Sequence, residues 1–105
     1  MPAVQPETKL TPDSVRGWMN TRRGWKRRSN KLTKEFQFKR FRDSIVFVNR
    51  VATLADTHKH YPDIDIRTGS VTLTLSTQKV GGISEKDLNL AEQIDFATSF
   101  GENRQ

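Results

Sequence analysis

The feature that most constrains this chain is an apolar stripe in its middle. Phe41, Ile45, Val48, Ala52 and Ala55 follow one another at intervals of 4, 3, 4 and 3 residues, the spacing that lines side chains along one face of an α-helix. Phe47, Val51 and Leu54 widen the stripe, while Lys39, Arg40, Arg42, Asp43, Asn49 and Arg50 fall mostly outside it. The pattern predicts a helix of about five turns whose stripe is core. It should end near His58, because Tyr61 precedes Pro62 and a residue before proline is pushed out of the α region.

Such a stripe needs a partner surface, and the flanking segments supply one. Trp25 onward, interrupted at Ser29-Asn30, and the alternating run from Leu32 to Phe38 predict a hairpin of 24–29 with 31–38. Beyond Pro62, Ile64 and Ile66 alternate with Asp63, Asp65 and Arg67. After Thr68-Gly69, Val71, Leu73 and Leu75 alternate with Thr72, Thr74 and Ser76. This predicts a second hairpin. Thr11-Pro12-Asp13 is a good start for a short helix to about Asn20, carrying Val15, Trp18 and Met19. Gly81-Gly82 leads into Ser84-Glu85-Lys86-Asp87, a capping-box-like start for a last helix. That helix carries Leu88, Ala91, Ile94 and Asp95 or Ala97, and Gly101 should close it. The order α-ββ-α-ββ-α implies an α+β fold, a four-stranded antiparallel sheet with three helices packed on one face. Residues 1–10 read as a flexible arm and 11–105 as a single domain. A free sheet face or edge predicts a homodimer.

Composition narrows the function. The chain has no cysteine, which excludes disulfides, thiolate chemistry and cysteine-based zinc sites. No stretch approaches the 18 apolar residues of a membrane span, and the first residues lack the apolar core of a signal peptide. A cytoplasmic protein without membrane contact is expected. The net charge of +6 is uneven: residues 1–53 hold 13 Lys/Arg against 4 Asp/Glu, and residues 54–105 hold 5 against 8. The densest stretch is Arg22, Arg23, Gly24, Trp25, Lys26, Arg27 and Arg28. It attracts polyanions or an acidic protein surface, or is simply a charged hairpin edge that resists aggregation. No nucleic-acid-binding signature accompanies it, so nucleic acid is not the expected partner. Trp25 is the candidate anchor of a protein contact made by Arg22, Arg23, Lys26, Arg27 and Arg28.

Both histidines, His58 and His60, lie in Asp56-Thr57-His58-Lys59-His60-Tyr61-Pro62. With Asp56, Asp63 and Asp65 nearby they match no metal-binding spacing, and no metal is expected. Ser84-x-x-Asp87 reads most simply as a helix cap.

The joint pattern of residues 55–95, ADTHKHYP followed by VTLTLSTQKVGGISEKDLNLAEQID, resembles the pterin-4a-carbinolamine dehydratase family, also known as a dimerisation cofactor of a homeodomain transcription factor. The resemblance extends back through Gly24-Trp25 and Phe36-Gln37-Phe38 to about Leu10. Its most specific part is Leu75-Ser76-Thr77, then Gly82 to Asp87, Leu90-Ala91 and Ile94-Asp95. It implies the α+β fold reached above. The family's site takes a His-His-Pro after the long helix, a third histidine after a Leu-Ser-Thr strand, and an acid in the last helix. The resemblance places these on His60, Tyr61, Pro62, Gln78 and Asp87, and puts Thr68 where an aromatic is usual.

Two of three histidines are therefore replaced. Dehydrating a carbinolamine means protonating a departing hydroxyl and removing a proton from the neighbouring ring nitrogen, tasks suited to imidazoles. A phenol, with a reference pKa of about 10, is a poor base at neutral pH, and an amide does not titrate. Losing a positioned acid or base typically costs about 10²–10⁴-fold in rate. On a continuous helix His58 would point roughly 200° from His60 and could not stand in. The expectation is a scaffold that has lost the enzyme, with no catalytic residues and no cofactor. By resemblance to the α-carboxysome-associated branch of the family it would be an assembly factor for ribulose-bisphosphate carboxylase, binding that enzyme's subunits, in the cytoplasm or at the carboxysome. The alternatives are a dehydratase working with His60 and Asp87 alone, and a basic nucleic-acid-binding module.

Overall fold

The computed structural model describes residues 8–102. The elements follow the expected order: α1 (Pro12–Met19), β1 (Lys26–Arg28), β2 (Lys31–Gln37), α2 (Phe41–His58), β3 (Asp63–Ile66), β4 (Ser70–Leu75), a 3-10 turn (Gln78–Val80) and α3 (Glu85–Glu102). The Thr11 side chain caps α1 by accepting from the Ser14 N–H at 3.1 Å, as its Thr-Pro start predicts. The 3-10 turn was not foreseen, and α3 runs through Gly101 instead of stopping there.

The two hairpins join through their second strands. The sheet order is β1-β2-β4-β3, all neighbours antiparallel. The register pairs Leu32 with Leu75 and Phe36 with Val71, and Thr33 with Thr74 between them. Because strand side chains alternate, Leu32, Phe36, Val71, Leu73 and Leu75 face the helices and are buried. Thr33, Thr72 and Thr74 form the opposite, half-buried face. Val15 of α1 and Leu88, Leu90, Ala91 and Ile94 of α3 complete one core, the three-helix layer on one face.

The α2 stripe needs correction. The line buried in the core is Ser44, Phe47, Val51 and Ala55. Phe41 stays 53% exposed, Ala52 is exposed, and Ile45 and Val48 are half-buried. The apolar arc of α2 is wider than one sheet can cover. The sheet takes the half carrying Phe47, which stacks on Phe36 and Phe38 at ring-centroid distances of 4.7 and 5.2 Å. The other half is left outside.

At the N-terminus, Leu10 donates its N–H to the Ile83 carbonyl at 2.8 Å and packs on the core. The remainder of the expected arm, residues 1–7, lies outside the described residues.

Candidate active site

The site is built at the end of α2, where a helix must stop and a histidine must be aimed. The Lys59 N–H bonds back to the Asp56 carbonyl at 3.3 Å and the His60 N–H to the Ala55 carbonyl at 3.1 Å. This is the paired closure of a helix whose next residue is left-handed. Lys59 is that residue, with φ 52° and ψ 43°. Glycine is the usual occupant, and a side chain there costs about 1 kcal/mol. The turn swings the backbone so that His60 points inward while His58, still helical, stays exposed and outside the pocket described below. His58 is a bystander because the helix ends between the two.

His60 meets the start of α3. Its Nε2 lies 2.5 Å from Asp87 Oδ1, with Asp87 fully buried and the His60 side chain 12% exposed. The other Asp87 oxygen, Oδ2, accepts from the Ser84 N–H at 2.9 Å and from the Thr77 hydroxyl at 2.9 Å. Since the Thr77 proton goes to Asp87, the 2.7 Å contact between Thr77 and Ser84 hydroxyls has Ser84 as donor. Ser84 Oγ in turn accepts from the Lys86 N–H at 3.2 Å. The cap reading of Ser84-x-x-Asp87 holds: one oxygen closes the capping box, and the other contacts the histidine. As a carboxylate Asp87 only accepts, so Nε2–H is the donor. The Nδ1 of His60 remains to exchange a proton with a ligand.

Above this pair lies a pocket of about 670 Å³ lined by His60, Tyr61 and Gln78, among others. That size suits a small-molecule site, about 300–1,000 Å³. The sequence-expected positions His60, Tyr61 and Gln78 thus converge on it, with Asp87 beneath. Pro62 is half-buried and serves the turn. Thr68 lies in the β3–β4 turn and does not line the pocket. Tyr61 is 63% exposed and donates its hydroxyl to Asp56 Oδ1 at 3.2 Å. That bond raises the phenol above its ordinary value of 10.0, with desolvation and the Asp56 charge adding to it. At neutral pH Tyr61 is a donor and never a base. Gln78 is held over the pocket because the loop is pinned at its neck, Thr77 N–H to Gly82 carbonyl at 2.7 Å, and turned by Gly81 at φ 66°.

Ser84 was legible as the capping partner of Asp87, but Thr77 only as a motif residue and not as a donor to Asp87. The lysines of the pocket gave no sequence signal, because they come from four separate elements. No group of three or more His, Asp or Glu that could hold a metal occurs among the described residues.

The basic stretch is divided by the structure. Trp25 is 4% exposed, and its indole N–H donates to Asp95 Oδ2 at 2.8 Å. It packs at 6.2 Å from both Trp18 and Phe36. It is a core residue and cannot anchor a partner, a correction forced by the register that turns it under α3. Arg22 is half-buried, bonded to Glu92 at 2.8 Å and lying 5.1 Å over the Trp18 ring. Arg23, Lys26, Arg27 and Arg28 remain exposed.

Residues 8–97 match the family described as Pterin 4 alpha carbinolamine dehydratase; the chain belongs to that family. A relative from Roseiflexus sp. (strain RS-1), named "Putative pterin-4-alpha-carbinolamine dehydratase", is 43% identical over 88 residues, 84% of this chain and 95% of that one. The transcriptional coactivator/pterin dehydratase from Brucella melitensis has the same fold. Its TM-score is 0.80 at 24% identity, over 84% of this chain and 96% of that one. A pterin dehydratase-like protein identified as a RuBisCO assembly factor in the α-carboxysome is a second fold neighbour. It has a TM-score of 0.57 at 22% identity, over 68% of this chain and 82% of that one.

These relatives overturn the expectation of a non-enzyme. Relatives 38–51% identical to this chain over 77–96% of their own length carry the name "Putative pterin-4-alpha-carbinolamine dehydratase". Counting missing imidazoles also left out a structural feature, the contact of His60 with a buried and fully bonded carboxylate.

Proposed function

We propose that this chain is a dehydratase of 4a-carbinolamines of reduced pterins, working with one imidazole. The observation that carries this reading is the 2.5 Å contact of His60 with the buried Asp87 at the floor of the pocket. In the reaction the C4a–O bond breaks and the hydroxyl leaves as water with an added proton. A ring N–H is lost, and its electron pair forms the C=N bond. His60, whose Nε2–H is committed to Asp87, accepts the ring N–H proton at Nδ1 and hands it to the departing hydroxyl, returning to its starting state. One imidazole serves both ends in sequence, with Tyr61 and Gln78 as neutral hydrogen-bonding groups at the mouth.

The test is turnover of a 4a-hydroxytetrahydropterin generated in the cuvette. A rate well above the spontaneous one is expected, and a rate equal to it sinks the proposal. Introducing Tyr61→His with Gln78→His should raise the rate further.

A second reading, assembly of ribulose-bisphosphate carboxylase, is favoured by the exposed Arg23, Lys26, Arg27 and Arg28 and by the fold neighbour identified as such a factor. On this reading the basic hairpin docks acidic carboxylase surface, speeding the encounter. Co-expression with carboxylase subunits tests it, and an unchanged yield of holoenzyme counts against it. A homodimer is part of either reading, supported by the exposed Ile64 and Ile66 of edge strand β3. Sedimentation of the purified chain measures it, with a monomer as the adverse result. No helix among the described residues is long and apolar enough to cross a membrane.

A further inference from the structure

We propose that the pocket over His60 takes a pterin whose side chain ends in an anionic group, a phosphate ester or a carboxylate. This rests on the dehydratase reading and adds its substrate class. Four of the chain's eight lysines, Lys31, Lys59, Lys79 and Lys86, line this pocket, and none of the described arginines does. Among the described residues Asp63 is the one acidic lining residue. The lysines come from the start of β2, the end of α2, the 3-10 turn and the first turn of α3. Their convergence is a product of the fold, not of a charge run in the sequence.

Exposure orders the pocket from floor to mouth. His60 is 12% exposed at the floor, Lys86 is half-buried, and Lys31, Lys59 and Lys79 are exposed. A ring that reaches the imidazole leaves its substituent among the ammonium groups. The second observation is the backbone of Lys59, a left-handed position at φ 52° where helix ends favour glycine. The chain keeps an ammonium at the pocket mouth in a conformation its backbone disfavours, which points to a use for the charge. Lysine is a compact charge on a flexible stem, so it can meet either phosphate or carboxylate. Several together in a partly enclosed pocket form charge-assisted bonds of useful strength.

The experiment is a fluorescence titration with three oxidised pterins that cannot react: 6-hydroxymethylpterin, its monophosphate ester and pterin-6-carboxylate. At low salt the anionic pair should bind about tenfold more tightly than the neutral one, with a preference that shrinks as salt rises. The ranking of ester against carboxylate identifies which anion the site is built for. Lys59→Gly, combined with Lys31→Gln, should collapse the preference. Glycine suits the left-handed backbone, so this variant keeps its fold, which a thermal melt verifies. Equal affinity for all three pterins, no binding of any, or a preference unchanged in the double variant overturns the proposal. So does inorganic phosphate binding as tightly as the ester. Turnover of a neutral carbinolamine is measured separately: activity without anion preference would remove this inference and leave the dehydratase reading standing. Selective binding without turnover would remove that reading instead.

Discussion

Asp87 and Asp95 lie about two turns apart on α3, and each accepts a hydrogen bond from the N–H of a heteroaromatic ring. Asp87 holds His60 at 2.5 Å, and Asp95 holds Trp25 at 2.8 Å. Both rings lie against the core, and both carboxylates have further donors. Lys34 Nζ reaches Asp95 Oδ1 at 2.8 Å, beside the rings of Trp25 and Phe36. The difference is the second nitrogen. Indole has one N–H that donates and nothing that accepts, so Trp25–Asp95 ties the residue leading into β1 to α3 and does no more. Imidazole keeps a second nitrogen toward the pocket, so the same geometry at His60 can move a proton. Similar contacts at two points of one helix thus differ in what they can do, through ring chemistry and through the full burial of Asp87 against the partly exposed Asp95.

The comparison breaks most visibly in turnover. His60→Gln should lower the dehydration rate by about 10²–10⁴-fold, and Asp87→Asn should cost a comparable factor by presenting the wrong partner to Nε2. Asp95→Asn should leave the rate within a small factor of wild type. Equal losses at Asp87 and Asp95 would show that both pairs act only through the fold.

In stability the order reverses. Trp25→Ala removes a buried aromatic and should destabilise by about 3–5 kcal/mol, read from denaturant unfolding. Trp25→Phe keeps most of the packing, strands only the Asp95 bond and should cost about 1–2 kcal/mol. A Trp25→Ala chain as stable as wild type would mean that the indole is not in the core.

The sequence made the architecture legible because each element repeats its signal: alternation in β2 and β4, helical spacing in α2, a Ser-x-x-Asp box at α3. It failed where one signal admits two answers. The arc on α2 was wide enough for two stripes, and only the sheet's position chose the one carrying Phe47 and Val51. Trp25 sat among five basic residues, so its neighbours suggested a surface. Its partner, Asp95, is remote in sequence. His60 and Asp87 were found through resemblance, but their contact was not, since nothing in a linear chain says that one carboxylate oxygen caps a helix while the other holds a ring. The pocket lysines were invisible for the same reason.

A sharper probe of the Asp87 end is its cap. Ser84→Ala removes the acceptor of the Lys86 N–H and the donor to Thr77. The expected loss is about 1 kcal/mol of stability, together with a fall in turnover larger than that loss explains, because Thr77, left without its own donor, steadies Asp87 less well. A stability loss with full activity would show that His60 positions Asp87 without help from the cap.

The smallest effect concerns a third ring on a carboxylate, Tyr61 on Asp56. Here the donor is a phenol, whose proton can leave, but at the wrong pH. The Asp56 bond, then desolvation and the Asp56 charge, raise Tyr61 above 10.0. The folded value exceeds the unfolded one, so the contact is fully present below about pH 10. It is lost as pH climbs through the raised value. Tyr61 is the chain's one tyrosine, so tyrosinate absorbance reports it directly. The titration midpoint should lie above that of a free phenol, and Asp56→Asn should bring it down. A midpoint at or below the free value would mean that Tyr61 leaves Asp56 in solution. Its hydroxyl would then be available to the pocket, and His60 would have a titratable neighbour after all.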